Sequence, residues 1–337
     1  MLRRAIASTL NQTYRDVQVC VYDNASGDET QTVVAQIASQ DSRVRYFCHP
    51  QPVPVARNFQ FGMERVDTPY FSFLSDDDVL FPTFYTSAIA RLTKDQEALF
   101  AAGSAIEFDD AGTVRYAPLA LWSREGRYDP PEGFLAMLGN RHPTLTAILF
   151  RRDVIGKVGL VDAEVAGPAD LDYELRVASR FPYEVFFEPS AAYIHHASRL
   201  SAAEDASVIS GYERIAEKLR SDTRIDPALR ADIPRMMARQ TRRKLYEIAV
   251  KSIVAGNDKN AEIAAAALRD RYSRPVTASV IKGAIASCRT IPGVRSALAS
   301  VESARVARRA REAQRLLRAS IGQDGSGYAK YITPTGV

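Results

Sequence analysis

Apolar positions along the first two hundred residues fall into two rhythms that alternate. Leu2, Ile6 and Leu10 recur at helical spacing, with Ala5 and Thr9 beside them, and Asn11-Gln12-Thr13-Tyr14 ends that helix. Residues 17–22 read as a strand running into the turn-forming loop Asp23-Asn24-Ala25-Ser26-Gly27-Asp28. Ser26 with Glu29 three residues on has the pattern of a capping box for a helix over 28–40. A short strand at 44–47, a helix at 55–66 and a strand at 70–74 follow. A helix over 82–94, with Pro82 at its start, comes next. Further strands are expected at 98–103, 105–108, 146–150, 185–187 and 191–196. The stretch 109–131 is polar and irregular and holds the only tryptophan, Trp122. Gly167-Pro168-Ala169-Asp170 opens a helix reaching about residue 180. From residue 203 onward every segment reads as helical.

Strands alternating with helices of this length predict an α/β fold: a mostly parallel sheet flanked by helices, then a helical C-terminal region. The expected division is 1–200 for the α/β domain, 201–318 for a helical basic region and 319–337 for a disordered tail. In such sheets ligands bind beyond the carboxyl ends of the strands. Two acidic groups fall there, Asp23 after one strand and the run Asp76-Asp77-Asp78 after another. Three adjacent carboxylates repel one another unless a cation offsets them, and a hard divalent metal shared with substrate phosphates is one resolution. A solvated acidic turn is the other. On the helix after Gly167, Asp170 and Asp172 lie about 200° apart, so only one can face a given site. Asp172 has Arg176 four residues on as an ion-pair partner, and Asp170 at the helix start has an N-cap as its ordinary role.

Four segments in order carry a family likeness. They are residues 2–14, the loop Val21-Tyr22-Asp23-Asn24-Ala25-Ser26-Gly27-Asp28-Glu29-Thr30, the pair Val55-Ala56-Arg57-Asn58 and Phe73-Leu74-Ser75-Asp76-Asp77-Asp78, and Ala169-Asp170-Leu171-Asp172-Tyr173-Glu174-Leu175-Arg176. Over about residues 1–200 the chain resembles the family 2 glycosyltransferases of GT-A fold. The resemblance implies inverting, metal-dependent transfer of a sugar from a nucleotide donor, a UDP-sugar above all, to the hydroxyl of a glycan or lipid-linked acceptor. It implies that Asp23, Asn24, Arg57, Asp76 and Asp77 bind the donor and that Asp76, Asp78 and His196 hold Mn²⁺ or Mg²⁺. Asp170 would take the acceptor proton. The chain departs from the family in two places. Ala169 stands where an acidic residue precedes the base, and no strand precedes the first helix. A non-catalytic relative that binds nucleotide sugar or a partner protein is therefore the alternative. For the missing strand, the choices are a start placed downstream of the true one, a decayed fragment, or another segment filling the gap.

Composition changes the picture in one respect. The 337 residues, 46% hydrophobic and 25% charged, are ordinary for a globular protein. The net charge of +4, however, divides into −8 over residues 1–204 (19 basic, 27 acidic) and +12 over 205–337 (25 basic, 13 acidic). Residues 290–318 are rich in arginine, which suits either peripheral contact with an anionic membrane or an ordinary solvated helix. No nucleic-acid-binding motif accompanies the charge. Three scattered cysteines make neither a disulfide framework nor a zinc pattern. With no secretory signal pattern and no long apolar run, a cytoplasmic protein is expected.

Overall fold

The computed structural model describes residues 1–139, 141–165, 167–196 and 208–332. The chain divides into two compact units. The first comprises residues 1–164, 169–196 and 310–337, and the second residues 165–168 and 197–309.

In the first unit, α1 (Leu2–Leu10) leads to β1 (Val19–Asp23), α2 (Thr30–Ala38), β2 (Val44–Cys48), α3 (Val55–Met63) and β3 (Tyr70–Ser72). Then come β4 (Val79–Leu80), α4 (Phe84–Lys94), β5 (Phe100–Asp109), β6 (Val114–Tyr116), β7 (Gly126–Tyr128), α5 (Glu132–Met137), β8 (Ile148–Arg151), α6 (Asp153–Val158), α7 (Ala169–Ala178) and β9 (Tyr183–His195). β1 and β2 pair in parallel as a two-stranded sheet. The other seven strands form one sheet whose main path runs β3-β8-β5-β9-β4, with β6 on β5 and β7 on β9.

The α/β class holds, and the strand directions need correction. Only β1–β2 and β5–β9 are parallel, and the other five pairings are antiparallel. Only β5–β6 is a hairpin closed by a short turn; the other four antiparallel pairs join strands distant in sequence. The paired short strands expected at 98–108 and 185–196 are each one long strand, bent by register shifts around Ser104. A side chain at Gly103 would meet the Ser190 hydroxyl at 1.9 Å, so this crossing requires glycine. The capping box is not formed either. Asp28 accepts from both the Ser26 hydroxyl (2.9 Å) and the Thr30 amide (2.8 Å), so a nearer carboxylate takes the place foreseen for Ser26. Among the described residues no strand hydrogen-bonds to the second edge of β1, so none fills the gap expected there.

Two clusters hold the larger sheet. On one side Phe84, Tyr85, Ala88 and Leu92 of α4 pack on Ala101, Ala105, Leu149 and Phe186. On the other, Phe81, Ile106, Phe108 and Ile194 pack against Ala313, Leu317 and Ile332. The tail expected to be disordered from 319 is therefore folded as far as Ile332. A 3₁₀ turn, Ser326–Tyr331, sets Tyr328 and Tyr331 at 4.7 and 5.2 Å from the Phe81 ring. Composition misled because a few well-placed aromatic and aliphatic side chains suffice once a sheet face is open to them. Residues 333–337, like the 200/201 boundary, lie outside the described residues.

The second unit is helical: α8 (Val208–Ser221), α9 (Pro227–Ala255), α10 (Asp258–Asp270), α11 (Pro275–Thr290) and the first half of α12 (Val294–Ile321). Asp226 caps α9 by accepting from the amides of Ala228 and Leu229, and Gly256 closes it in the left-handed conformation. Asn257 caps α10 at once, so the two helices fold back as a hairpin.

Candidate functional site

Asp23 closes β1, buried, with its carboxylate already engaged. Oδ1 accepts from the Ser26 amide at 2.9 Å and Oδ2 from the Tyr46 hydroxyl at 2.6 Å. Burial works against its charge, while the Tyr46 and Ser26 hydrogen bonds outweigh this and hold the carboxyl below its ordinary range. Tyr46 is pushed up, by burial first and by Asp23 second. Asn24 spends both ends of its amide on the Val53 backbone, at 2.8 Å each, and so clamps the loop ahead of α3. Arg57 is exposed on α3 and donates to Gln60 at 2.9 Å. Asn58 ties α3 to β1 through the Tyr22 carbonyl and to His49.

The three consecutive aspartates diverge. They occupy the turn between β3 and β4, where alternate side chains cannot share one direction. Asp76 is exposed, Asp77 buried, and Asp78 only 1% exposed. Asp78 accepts from the Thr146 hydroxyl at 2.6 Å and from the Ile194 amide at 3.2 Å. That ties β4 to β9 and to the 3₁₀ turn Leu145–Ala147. In this structure both Asp78 oxygens serve the framework. Asp77 Oδ2 instead meets His196 Nε2 at 2.9 Å, and Arg4 of α1 lies in the field of both Asp77 and Asp78. His195 turns the other way, to Glu107 at 2.7 Å, as alternation along a strand requires.

Among the described residues no three His, Cys, Asp or Glu side chains converge as a metal-ligand group. The fit to a divalent cation is thus partial. Asp76 and the Asp77–His196 pair offer oxygen and nitrogen donors, Asp78 has both oxygens hydrogen-bonded in this structure, and a donor diphosphate would have to complete the set.

On α7 the helical register separates two pairs. Asp172, fully buried, accepts from Arg176 Nε at 2.9 Å, and Arg176 also donates to the Val158 and Leu160 carbonyls. Asp172 is structural. Asp170 is half-buried in the first turn, its Oδ1 accepting from the Leu171 amide at 2.7 Å. Glu174, one turn on, is wholly buried, and neither of its carboxylate oxygens has a hydrogen-bond partner. His142 Nδ1 stands 3.4 Å from it. Sequence reading missed Arg4, Tyr46, Thr146 and His142, which reach the site from distant segments. Glu174 had a signal, its spacing of four from Asp170.

Residues 1–159 match the family model described as Glycosyl transferase family 2. Among curated proteins, a GalNAc(5)-diNAcBac-PP-undecaprenol beta-1,3-glucosyltransferase of Campylobacter jejuni is 32% identical over 81 residues, 24% of this chain and 26% of that protein. An uncharacterized glycosyltransferase of Rickettsia bellii is 32% identical over 127 residues, 38% of this chain and 16% of its own length. The chain thus spans about a quarter or less of the length of these relatives. Among solved structures, S. aureus TarS residues 1–349 in complex with UDP-GlcNAc superposes with a TM-score of 0.63. That likeness covers 90% of this chain and 88% of that one at 10% identity, which establishes a shared fold. The α/β architecture of GT-A type and the carboxylates after β1 and β3 agree with this likeness, and residues 1–159, a little under half of the chain, resemble glycosyl transferase family 2.

Proposed function

We propose that this chain is an inverting glycosyltransferase that moves a sugar from a nucleotide-sugar donor, a UDP-sugar above all, to an acceptor hydroxyl in the making of a surface glycan. The observation that carries the reading is the family match over residues 1–159, the segment that ends β1 with Asp23 and carries Asp76 and Asp77 in the turn after β3. Asp23, Asn24 and Arg57 would face the donor nucleoside and phosphates, with Asn24 acting through its loop. Asp76, Asp77 and His196 would hold the Mn²⁺ or Mg²⁺. Such a cation offsets charge on the departing nucleoside diphosphate when bound. Asp170 would accept the proton of the attacking hydroxyl. The acceptor class, a glycan or lipid-linked saccharide, is suggested by the C. jejuni relative, whose name includes a diphospho-undecaprenol. Arg308, Arg311 and Arg315, exposed on α12 at spacings of three and four, would give peripheral contact with an anionic membrane. No described helix is long and apolar enough to cross one.

A second reading has its own observation. Asp78 and Asn24 are both consumed by structural hydrogen bonds, which favours a relative that binds nucleotide sugar without turnover. Calorimetry with UDP separates the pieces. Affinity is expected to be higher with Mn²⁺ than with EDTA, and Asp76→Ala should lose that difference. Equal affinity with and without metal would remove the metal assignment. Turnover of a panel of sugar nucleotides, with Asp170→Asn lowering kcat roughly 10²-fold at unchanged donor affinity, decides between enzyme and binding protein.

A further inference from the structure

Glu174 is the least explained charged group in the first unit. It lies in the middle of α7, fully buried, with both carboxylate oxygens lacking a hydrogen bond. A buried, unpaired carboxylate is costly, so its retention calls for a partner. The nearest cationic group is His142, in the loop between α5 and the turn Leu145–Ala147, with Nδ1 at 3.4 Å. The imidazole side chain is 27% exposed, and the Pro143 carbonyl lies 3.1 Å from the same Nδ1. Asp170 lies one helical turn before Glu174, so the two carboxylates are stacked on one face. The charge of Asp170 acts on both His142 and Glu174. Tyr183 of β9 also stands in the field of Glu174, and its hydroxyl donates to the Gly133 carbonyl at 2.7 Å.

We propose that Glu174 anchors His142 as the cationic partner of Asp170, making His142 a positioning residue for proton transfer on the acceptor side. The proposal rests on the reading of Asp170 as general base. In that step the acceptor oxygen bonds to the sugar's anomeric carbon while the bond to the donor diphosphate breaks. The diphosphate leaves with the electron pair, and the acceptor proton passes to the Asp170 carboxylate. His142 keeps its own proton throughout. Its charge offsets the repulsion between the two stacked carboxylates, and Glu174 holds it there from below. The titration behaviour agrees. Burial works against charge on His142, but Glu174 outweighs it and lifts the imidazole to about 9. Burial pushes Glu174 up to about 7, against the pull of His142.

The test follows the imidazole itself. The four histidines are isotope-labelled in the full chain, His142 is assigned by its loss in His142→Gln, and its resonance is followed from pH 5 to 10. The midpoint is expected well above the ordinary imidazole value. Glu174→Gln should lower it by more than one pH unit, Asp170→Asn should lower it by a smaller measurable step, and Glu174→Asp should leave it raised. A midpoint unmoved by Asp170→Asn, or by Glu174→Gln, overturns the proposal. Where turnover is measurable, His142→Gln should lower kcat at least tenfold with donor KM within twofold, and weakened donor binding at constant kcat would overturn the positioning role. An Asp170→Asn protein as active as wild type would defeat the general-base reading alone, since the histidine titration is read without any substrate.

Discussion

Three aspartates in a row serve three ends. Asp76 faces outward, Asp77 pairs with His196, and Asp78 is sealed inside with Thr146 and the Ile194 amide. The physical reason is the turn: side chains on successive residues diverge, and the one pointing inward must find donors or cost several kcal/mol. Thr146→Val keeps the volume and removes the hydroxyl. It should lower stability by about 1.5–3 kcal/mol, the cost typical of a hydrogen bond to a charged group, read as a lower denaturant midpoint. Asp76→Ala should leave the midpoint within error. Equal destabilisation by both would mean that Asp78 is not the framework member of the three. Asp170 and Asp172 divide in the same way, since Asp172 accepts from Arg176, which also donates to the Val158 and Leu160 carbonyls.

At the scale of the element, α7 is buried on most sides, and its charged groups divide between two faces. One face carries the Asp172–Arg176 pair, and the Asp170–Glu174 face lies toward His142. Both His142 and Glu174 are raised in the folded protein, to about 9 and about 7, against ordinary values near 6.5 and 4.5. A group raised on folding binds its proton more tightly in the native state. Its contribution is full below its unfolded value and is lost as pH rises through the folded one. For Glu174 that window runs from about 4.5 to 7 and for His142 from about 6.5 to 9. The melting temperature of the wild type should therefore fall from pH 5 to pH 9 more steeply than that of Glu174→Gln. Parallel curves for the two proteins would show that the pair is not coupled to folding.

For the whole molecule, the notable feature is that residues 310–332 complete the first unit. Ala313, Leu317 and Ile332 belong to the same cluster as Phe81 and Ile194, on either side of the Asp77–His196 contact in sequence. Arg4 of α1 donates to the Ile332 carbonyl, so the first and last helical segments meet beside the acidic turn. Ile332→Ala should cost about 2–5 kcal/mol if this packing is as close as in a protein core. A change below about 0.5 kcal/mol, in the range of surface substitutions, would show the tail to be loosely held. Because this segment is core, membrane contact is better tested by charge than by deletion. The triple change Arg308→Glu, Arg311→Glu, Arg315→Glu should reduce sedimentation with anionic vesicles, an effect that weakens as salt rises. Equal recovery of both proteins with neutral and anionic vesicles would leave α12 as a solvated helix.

Much of this was legible locally. The periodicity of residues 1–200 yields α1, α3, α4 and α7 to within a few positions, and the carboxyl ends of β1 and β3 locate the acidic groups, because side-chain spacing is fixed by each element's own geometry. The i,i+4 pairing of Asp172 with Arg176 follows from the same rule. Pairing direction did not follow, since it depends on which strands meet, and β8 and β4 enter antiparallel beside β5 and β9. Nor did the fates of Asp23, Asn24 and Asp78. Their partners, Tyr46, Val53, Thr146 and Ile194, lie between 23 and 116 residues away. A carboxylate in sequence is only a charge. Whether it becomes a ligand, a base or a rivet is decided by the donors that folding brings to it, and by the water that folding takes away.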